Sequence, residues 1–284
     1  MRRLRILGLR VTGLPSGARW RPPARDQAWG RAMISYQLYC SRDFGPLPDT
    51  LAMLKEAGYG AVEGWSGLVR DADTARGTAA ALDAAGLPMT SVHAGLAALE
   101  ADHATLVPIL RDLGCESVFV PAVPPDDRPA DRAGWDSLRR RIEAAGEPVR
   151  AANLAFGWHN HDFELADMGG GETALDVLLS GDLAWEADVA WLVRGGADPM
   201  PFIDRHAARI RAVHVKDIAP EGMKADEDGW ADPGTGTMDW DALAARLAET
   251  GVAHWVMEHD APSDDSRFAH AAIGMARRTA GIPA

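Results

Sequence analysis

The sequence has no apolar run approaching the roughly 18 residues a helix needs to cross a bilayer, so no membrane partner is expected. It has two cysteines in 284 residues, Cys40 and Cys115. One follows a strand-like run and the other precedes another, which puts them toward opposite ends of the fold expected below. They are too far apart to bridge, and reduced thiols in a cytoplasmic protein are the expectation. Positive charge is short: the formal net charge is −12. Nucleic-acid binders present a basic footprint, so no nucleic acid partner is expected. An acidic surface concentrates cations and suits a small neutral substrate. No glycine-rich phosphate turn follows the first strand-like run, where the chain reads "YCSRDFGPL".

Residues 1–32 depart from this balance, with eight arginines against Asp26 alone. Arg5 and Arg10 interrupt any apolar core of signal-peptide length. The segment is expected to be a poorly ordered basic extension or translation begun upstream of the natural start, with Met33 the natural start. A tail that binds a partner is the other reading. Residues 33–284 are expected to form a single catalytic domain.

What is present is a repeated alternation. Short apolar runs, often β-branched or aromatic, recur as "ISYQLY" (34–39), "GAVEGW" (60–65), "PMTSVHA" (88–94), "SVFVPA" (117–122), "LAFGWH" (154–159), "LAWEADV" (183–189), "IRAVHVK" (210–216) and "HWVMEH" (254–259). Between them lie segments of helical spacing, such as "LPDTLAMLKEAG", "TARGTAAALDAAG", "DSLRRRIEAAGEPVRAAN" and "WDALAARLAETG". Strand and helix in alternation call for a parallel sheet covered by helices. Eight units in this length predict an α/β (β/α)8 TIM barrel. A doubly wound sheet is the alternative.

In such barrels the chemistry sits where strands end. Those positions hold Gln37, Glu63, His93, His159, His161, Glu164, Asp188, His214, Lys216 and Glu258. Asp188 ends an apolar strand, where an acid is costly unless paired or metal-bound. His214 lies between Val213 and Val215, so it faces opposite to them, into the barrel. Glu258 follows the same logic, with His259 pointing outward. His159, Asp188, His214 and Glu258 come from consecutive strands and are predicted to hold one divalent ion. A mixed oxygen and imidazole set suits Mn2+, Mg2+, Co2+, Fe2+ or Zn2+, with Mn2+ taken first. Trp191, Trp65 and Phe163 are candidate platforms for a sugar ring. In "DPGTGTMDW" (232–240) Asp239 caps a helix or the loop shapes the substrate pocket.

The motifs "GWHNHDFEL", "ADVAWLVRGGADP", "RIRAVHVKD", "GTGTMDW" and "VMEHD", in this order over roughly residues 33–275, resemble the sugar phosphate isomerase/epimerase family with its xylose isomerase-like TIM barrel. The family includes ketose 3-epimerases and inosose dehydratases. In the epimerases a divalent metal is held by Glu, Asp, His and Glu from strands five to eight. The last three match Asp188, His214 and Glu258, whereas His159 stands where the first glutamate is expected.

The resemblance implies a metal-dependent isomerase or epimerase acting on a keto-sugar through an enediolate, with a small carbohydrate as partner and a possible homo-oligomer. Glu258 is then the first candidate base, with His161, Glu164 and Lys216 next, and His93, Glu63, Trp191 and Gln37 contact substrate. Because His159 replaces a glutamate, a two-glutamate proton exchange does not carry over. A dehydratase or lyase acting on a keto-inositol or 3-keto-glycoside is the alternative, followed by a non-catalytic sugar-binding barrel. An endonuclease IV-like nuclease would need more histidines and a basic face.

Overall fold

The computed structural model describes residues 33–282. Segment 1–32, and what was expected of it, lies outside the described residues. Eight parallel strands close into a barrel: β1 (Met33–Gln37), β2 (Ala61–Trp65), β3 (Met89–His93), β4 (Ser117–Val120), β5 (Ala155–His159), β6 (Ala184–Asp188), β7 (Ile210–Val215) and β8 (His254–Met257). Each falls on one of the eight apolar runs, and β8 closes on β1. The (β/α)8 barrel is therefore the fold, and closure rules out the open doubly wound sheet.

The helices around it are α1 (Leu47–Ala57), α2 (Ala72–Ala85), α3 (Leu96–Asp112), α4 (Arg132–Ala145), α5 (Glu147–Ala151), α6 (Ala174–Leu179), α7 (Val189–Arg194), α8 (Pro199–His206), α9 (Trp240–Thr250) and α10 (Asp265–Ala276). α4 shows why they form. Trp135, Leu138 and Ile142 recur at helical spacing and are buried, with arginines on the other face. The helical pattern expected to run on to Asn153 divides instead at Gly146. Pro148 has no N–H for a continuing helix, so a new short helix starts there. Aspartates cap six helices: Asp71, Asp131, Asp188, Asp198, Asp239 and Asp264 each accept from a backbone N–H in the first turn. Part of the acidic composition is thus spent at helix starts. Among the described residues no helix is long and apolar enough to cross a membrane. Cys40 and Cys115 are both buried and free.

Register sets what fills the barrel. Phe119, Ala184, Ala212 and Val256 form an apolar plug of their own. Gly157 lets β5 approach β6 closely, since a Cβ there would lie 2.2 Å from the Ala184 carbonyl oxygen. The register shifts between Trp185 and Glu186 of β6, where Arg211 becomes an extra residue in β7. Arg211 is buried and its Nε donates to Ser117 Oγ.

Candidate metal centre

The polar layer above the plug follows from strand register. Gln37, Glu63 and Ser91 are neighbours across β1, β2 and β3. Gln37 Nε2 donates to Glu63 Oε1 at 2.7 Å, and Ser91 Oγ donates to Glu63 Oε2 at 2.5 Å. His159 pairs in register with Glu186, and Asp188 with His214. Residues that share a register position point to the same side of a parallel sheet, here into the barrel.

Asp188, His214 and Glu258 each offer a donor atom, and the three atoms lie within 4.8 Å of one another. His214 Nδ1 stands 3.7 Å from Asp188 Oδ2 and 3.9 Å from Glu258 Oε2. A shared ion with bonds near 2.1 Å spaces its ligands at roughly 3 to 3.5 Å, so a small contraction brings these three onto one. His214 Nδ1 is buried without a hydrogen-bond partner, and the other two atoms, also buried, have only the Lys216 ammonium as an ion-pair partner. Asp188 is divided between two tasks. One carboxylate oxygen caps α7 by accepting from Trp191 N at 2.9 Å, and the cap leaves the other facing His214.

Lys216 Nζ is the positive charge at this site, 2.6 Å from Glu258 Oε2, 2.6 Å from Asp260 Oδ2 and 3.4 Å from Asp188 Oδ2. With His214 neutral, as a metal ligand must be, three carboxylates against one ammonium leave two negative charges, which one dication balances. The donor chemistry and the orphaned Nδ1 therefore fit a divalent metal.

Electrostatics separate the groups. Burial, and then Asp260, push the Glu258 carboxyl up to about 7. Burial likewise raises Asp188. Burial, and then Lys216, lower His161 to about 3, so its imidazole is neutral. Lys216 is held protonated: burial opposes the charge, but Asp188, Asp260 and Glu258 outweigh it.

The other expected site residues fall in different places. His159 does not join the three: its Nδ1 faces Glu186 Oε2 at 3.3 Å, in a second set with His93 and His214. Gln37 and Glu63, expected to contact substrate, are fully buried behind His214, whose Nε2 lies 2.9 Å from Glu63 Oε1. His93 Nε2 reaches Glu186 Oε2 at 2.5 Å and keeps some exposure, at 13% of its side chain. Glu164, expected among the acid/base candidates, lies buried in the turn after β5. Both its oxygens are used by the turn after β5, accepting from Trp158 Nε1 at 2.8 Å and His161 N at 2.9 Å.

Trp191 is at the site, with its ring 5.0 Å from Lys216 Nζ and 5.1 Å from the His161 ring. Of the other two platforms, Phe163 is covered by Arg128, 3.7 Å over its ring, and Trp65 meets Tyr39 edge-on. Asp239 does cap α9. The turn before it wraps around Asp217, whose carboxylate accepts from the N–H groups of Gly234, Gly236 and Met238.

Four residues escaped the strand-end reading. Glu186 lies two positions before Asp188 and shares its inward parity, a signal available in "WEAD". Asp260 lies beyond the last strand, and Trp230 sits on a two-residue strand of the loop after β7, its ring 4.3 Å from Lys216 Nζ. Asn160 ties the ends of β5 and β6 together: Oδ1 accepts from Trp185 Nε1 and Asp188 N, and Nδ2 donates to Asp188 O.

Comparison with known proteins agrees with this fold. The chain is 24% identical over 188 residues to the rhizopine catabolism protein MocC of Rhizobium meliloti, covering 56% of this chain and 57% of that protein. It is 24% identical over 144 residues to the inosose dehydratase of Lacticaseibacillus casei, covering 43% and 46%. The alignments thus span about half the length of these curated relatives. The structure of a sugar phosphate isomerase/epimerase from Parabacteroides distasonis superposes with a TM-score of 0.71 at 17% identity, over 90% of this chain and 97% of that one. The family model described as "Xylose isomerase-like TIM barrel" matches residues 51–278. With most of the chain matched and the barrel closed, the chain belongs to the xylose isomerase-like TIM barrel family.

Proposed function

We propose that the chain is a divalent-metal-dependent sugar isomerase or epimerase acting on an unphosphorylated keto-sugar or related carbohydrate. The observation that carries this reading is the buried convergence of Asp188 Oδ2, His214 Nδ1 and Glu258 Oε2, with Nδ1 lacking a hydrogen-bond partner and the two oxygens sharing only Lys216. Mn2+ is the first candidate for the ion these three residues would hold. When bound, it would supply Lewis-acid polarisation of a carbonyl and a neighbouring hydroxyl oxygen.

The chain's own residues supply the rest. Glu258, its carboxyl raised to about 7, takes the carbon-bound proton and can return it near neutral pH. The Lys216 ammonium, fixed by Asp260, faces the negative charge that develops on the carbonyl oxygen. Neutral His161 and the Trp191 ring form an apolar wall for the sugar. Return of the proton by Glu258 to the adjacent carbon gives an isomer, whereas an epimer requires a second group to deliver a proton to the other face of the carbon.

A second reading has an observation of its own in the inosose dehydratase similarity. The same proton removal followed by loss of a β-hydroxyl gives dehydration of a keto-inositol, or, with a glycoside substituent leaving, a lyase. Incubating the Mn2+-supplemented protein with ketoses in D2O separates the two. Deuterium on carbon in a product of unchanged composition supports epimerisation or isomerisation; loss of water or of a glycoside substituent supports the second reading. Absence of both with every keto-sugar and keto-inositol tried would overturn the enzyme assignment.

A further inference from the structure

A second cluster of donors lies on the inward faces of β3, β5 and β6. We propose that His93, His159 and Glu186 form a second divalent-cation site, with Zn2+ its best-suited ion, beside Asp188, His214 and Glu258. Its donors differ from Asp188 and Glu258, but its charge argument rests on the outer ion of the proposed function, which would hold His214 neutral.

The geometry converges on Glu186 Oε2. His93 Nε2 lies 2.5 Å from it, His159 Nδ1 3.3 Å and His214 Nε2 3.3 Å. One donor atom from each of the four residues lies within 4.8 Å of all the others. The 3.3 Å separations match the edge of a tetrahedron around an ion with bonds near 2.0 Å. The His93–Glu186 contact is a hydrogen bond that must open by several tenths of an ångström for both to ligate.

Buried charge supports an ion there. Glu63 and Glu186 are both completely buried, and the ion pairs they form are with histidines. Two buried carboxylates require compensating charge. If His214 gives Nδ1 to the outer ion, it is a neutral imidazole and supplies none. A second dication balances both acids while all three histidines stay neutral. His159 Nδ1 and Glu186 Oε1 are also buried without a hydrogen-bond partner, which a network closed by protons alone would leave costly. Two imidazoles and a carboxylate form a set suited to zinc.

The test strips the full chain with a chelator, then titrates it with Zn2+ by calorimetry and with Co2+ by visible absorption. The parent is expected to bind two equivalents. His93→Asn and Glu186→Gln are each expected to bind one, and Asp188→Asn also one, retaining the ion held by His93, His159 and Glu186. Circular dichroism confirms that each variant is folded. A parent that binds a single equivalent, lost in Asp188→Asn, overturns the second site whatever the other variants do. A single equivalent retained in Asp188→Asn and lost in His93→Asn upholds it while removing the outer centre. A parent that binds none overturns both.

Discussion

His214 and Glu63 meet across the barrel from β7 and β2, with Nε2 of the imidazole 2.9 Å from Oε1 of the carboxylate. Glu63 is itself fixed by Gln37 and Ser91. The contact turns Nδ1 toward Asp188 and Glu258 and favours the tautomer that leaves it free to ligate.

Glu63→Gln keeps the shape but removes the anion that holds this ring. Affinity for Mn2+, measured by calorimetry, is expected to fall about 10- to 100-fold with the fold retained. Unchanged affinity would mean that Glu63 does not position His214.

Lys216 shares Asp188 and Glu258 with the site. In Lys216→Met the carboxylates lose their internal cation, so Mn2+ binding is expected to be retained or tightened. Turnover should fall on the order of 100-fold, because the charge facing the developing oxyanion is gone. Loss of Mn2+ binding together with activity would assign Lys216 a structural task instead.

Glu164 gives a pH signature. Burial raises its carboxyl to about 8 in the folded chain, against about 4.3 in the unfolded chain. Its contribution is fully present below the unfolded value and is lost as pH rises through the folded one. Urea unfolding of the parent should therefore lose stability relative to Glu164→Gln between about pH 4.5 and 8, by on the order of 5 kcal/mol. A parallel pH dependence in the two proteins would contradict the burial argument.

Asn160→Leu leaves the Trp185 indole N–H and the Asp188 backbone N–H without their acceptor. Unfolding free energy is expected to drop by about 2 to 4 kcal/mol, and Mn2+ affinity with it, because Asp188 loses its tether. Weakened stability with intact metal affinity would show that Asn160 serves the fold alone.

The barrel was legible because each strand carries its own local signal, an apolar β-branched or aromatic run bounded by turns. That Asp188, His214 and Glu258 face inward side by side was legible for a related reason, since alternation along one strand fixes which residues point inward. Level across strands was not. The strand-end reading treats the last inward residue of each strand as one flat ring, whereas a barrel's shear staggers them. His159 is therefore level with Glu186, two residues before Asp188, and the expected four-residue set divides into two. Glu63 and Gln37 were found as inward polar residues, but their place behind His214 depends on long-range register. The place of Glu164 was hidden for a local reason: the turn after β5 folds back and turns its carboxylate toward Trp158.

Mn2+ titration of chelator-treated protein, followed by electron paramagnetic resonance, asks directly whether Asp188, His214 and Glu258 take a common ion. In the parent the free-ion signal should be suppressed up to at least one equivalent per chain. Asp188→Ala, with an unchanged circular dichroism spectrum, should release one equivalent. A parent that leaves the free-ion signal untouched, or a folded Asp188→Ala that binds Mn2+ as the parent does, contradicts the centre.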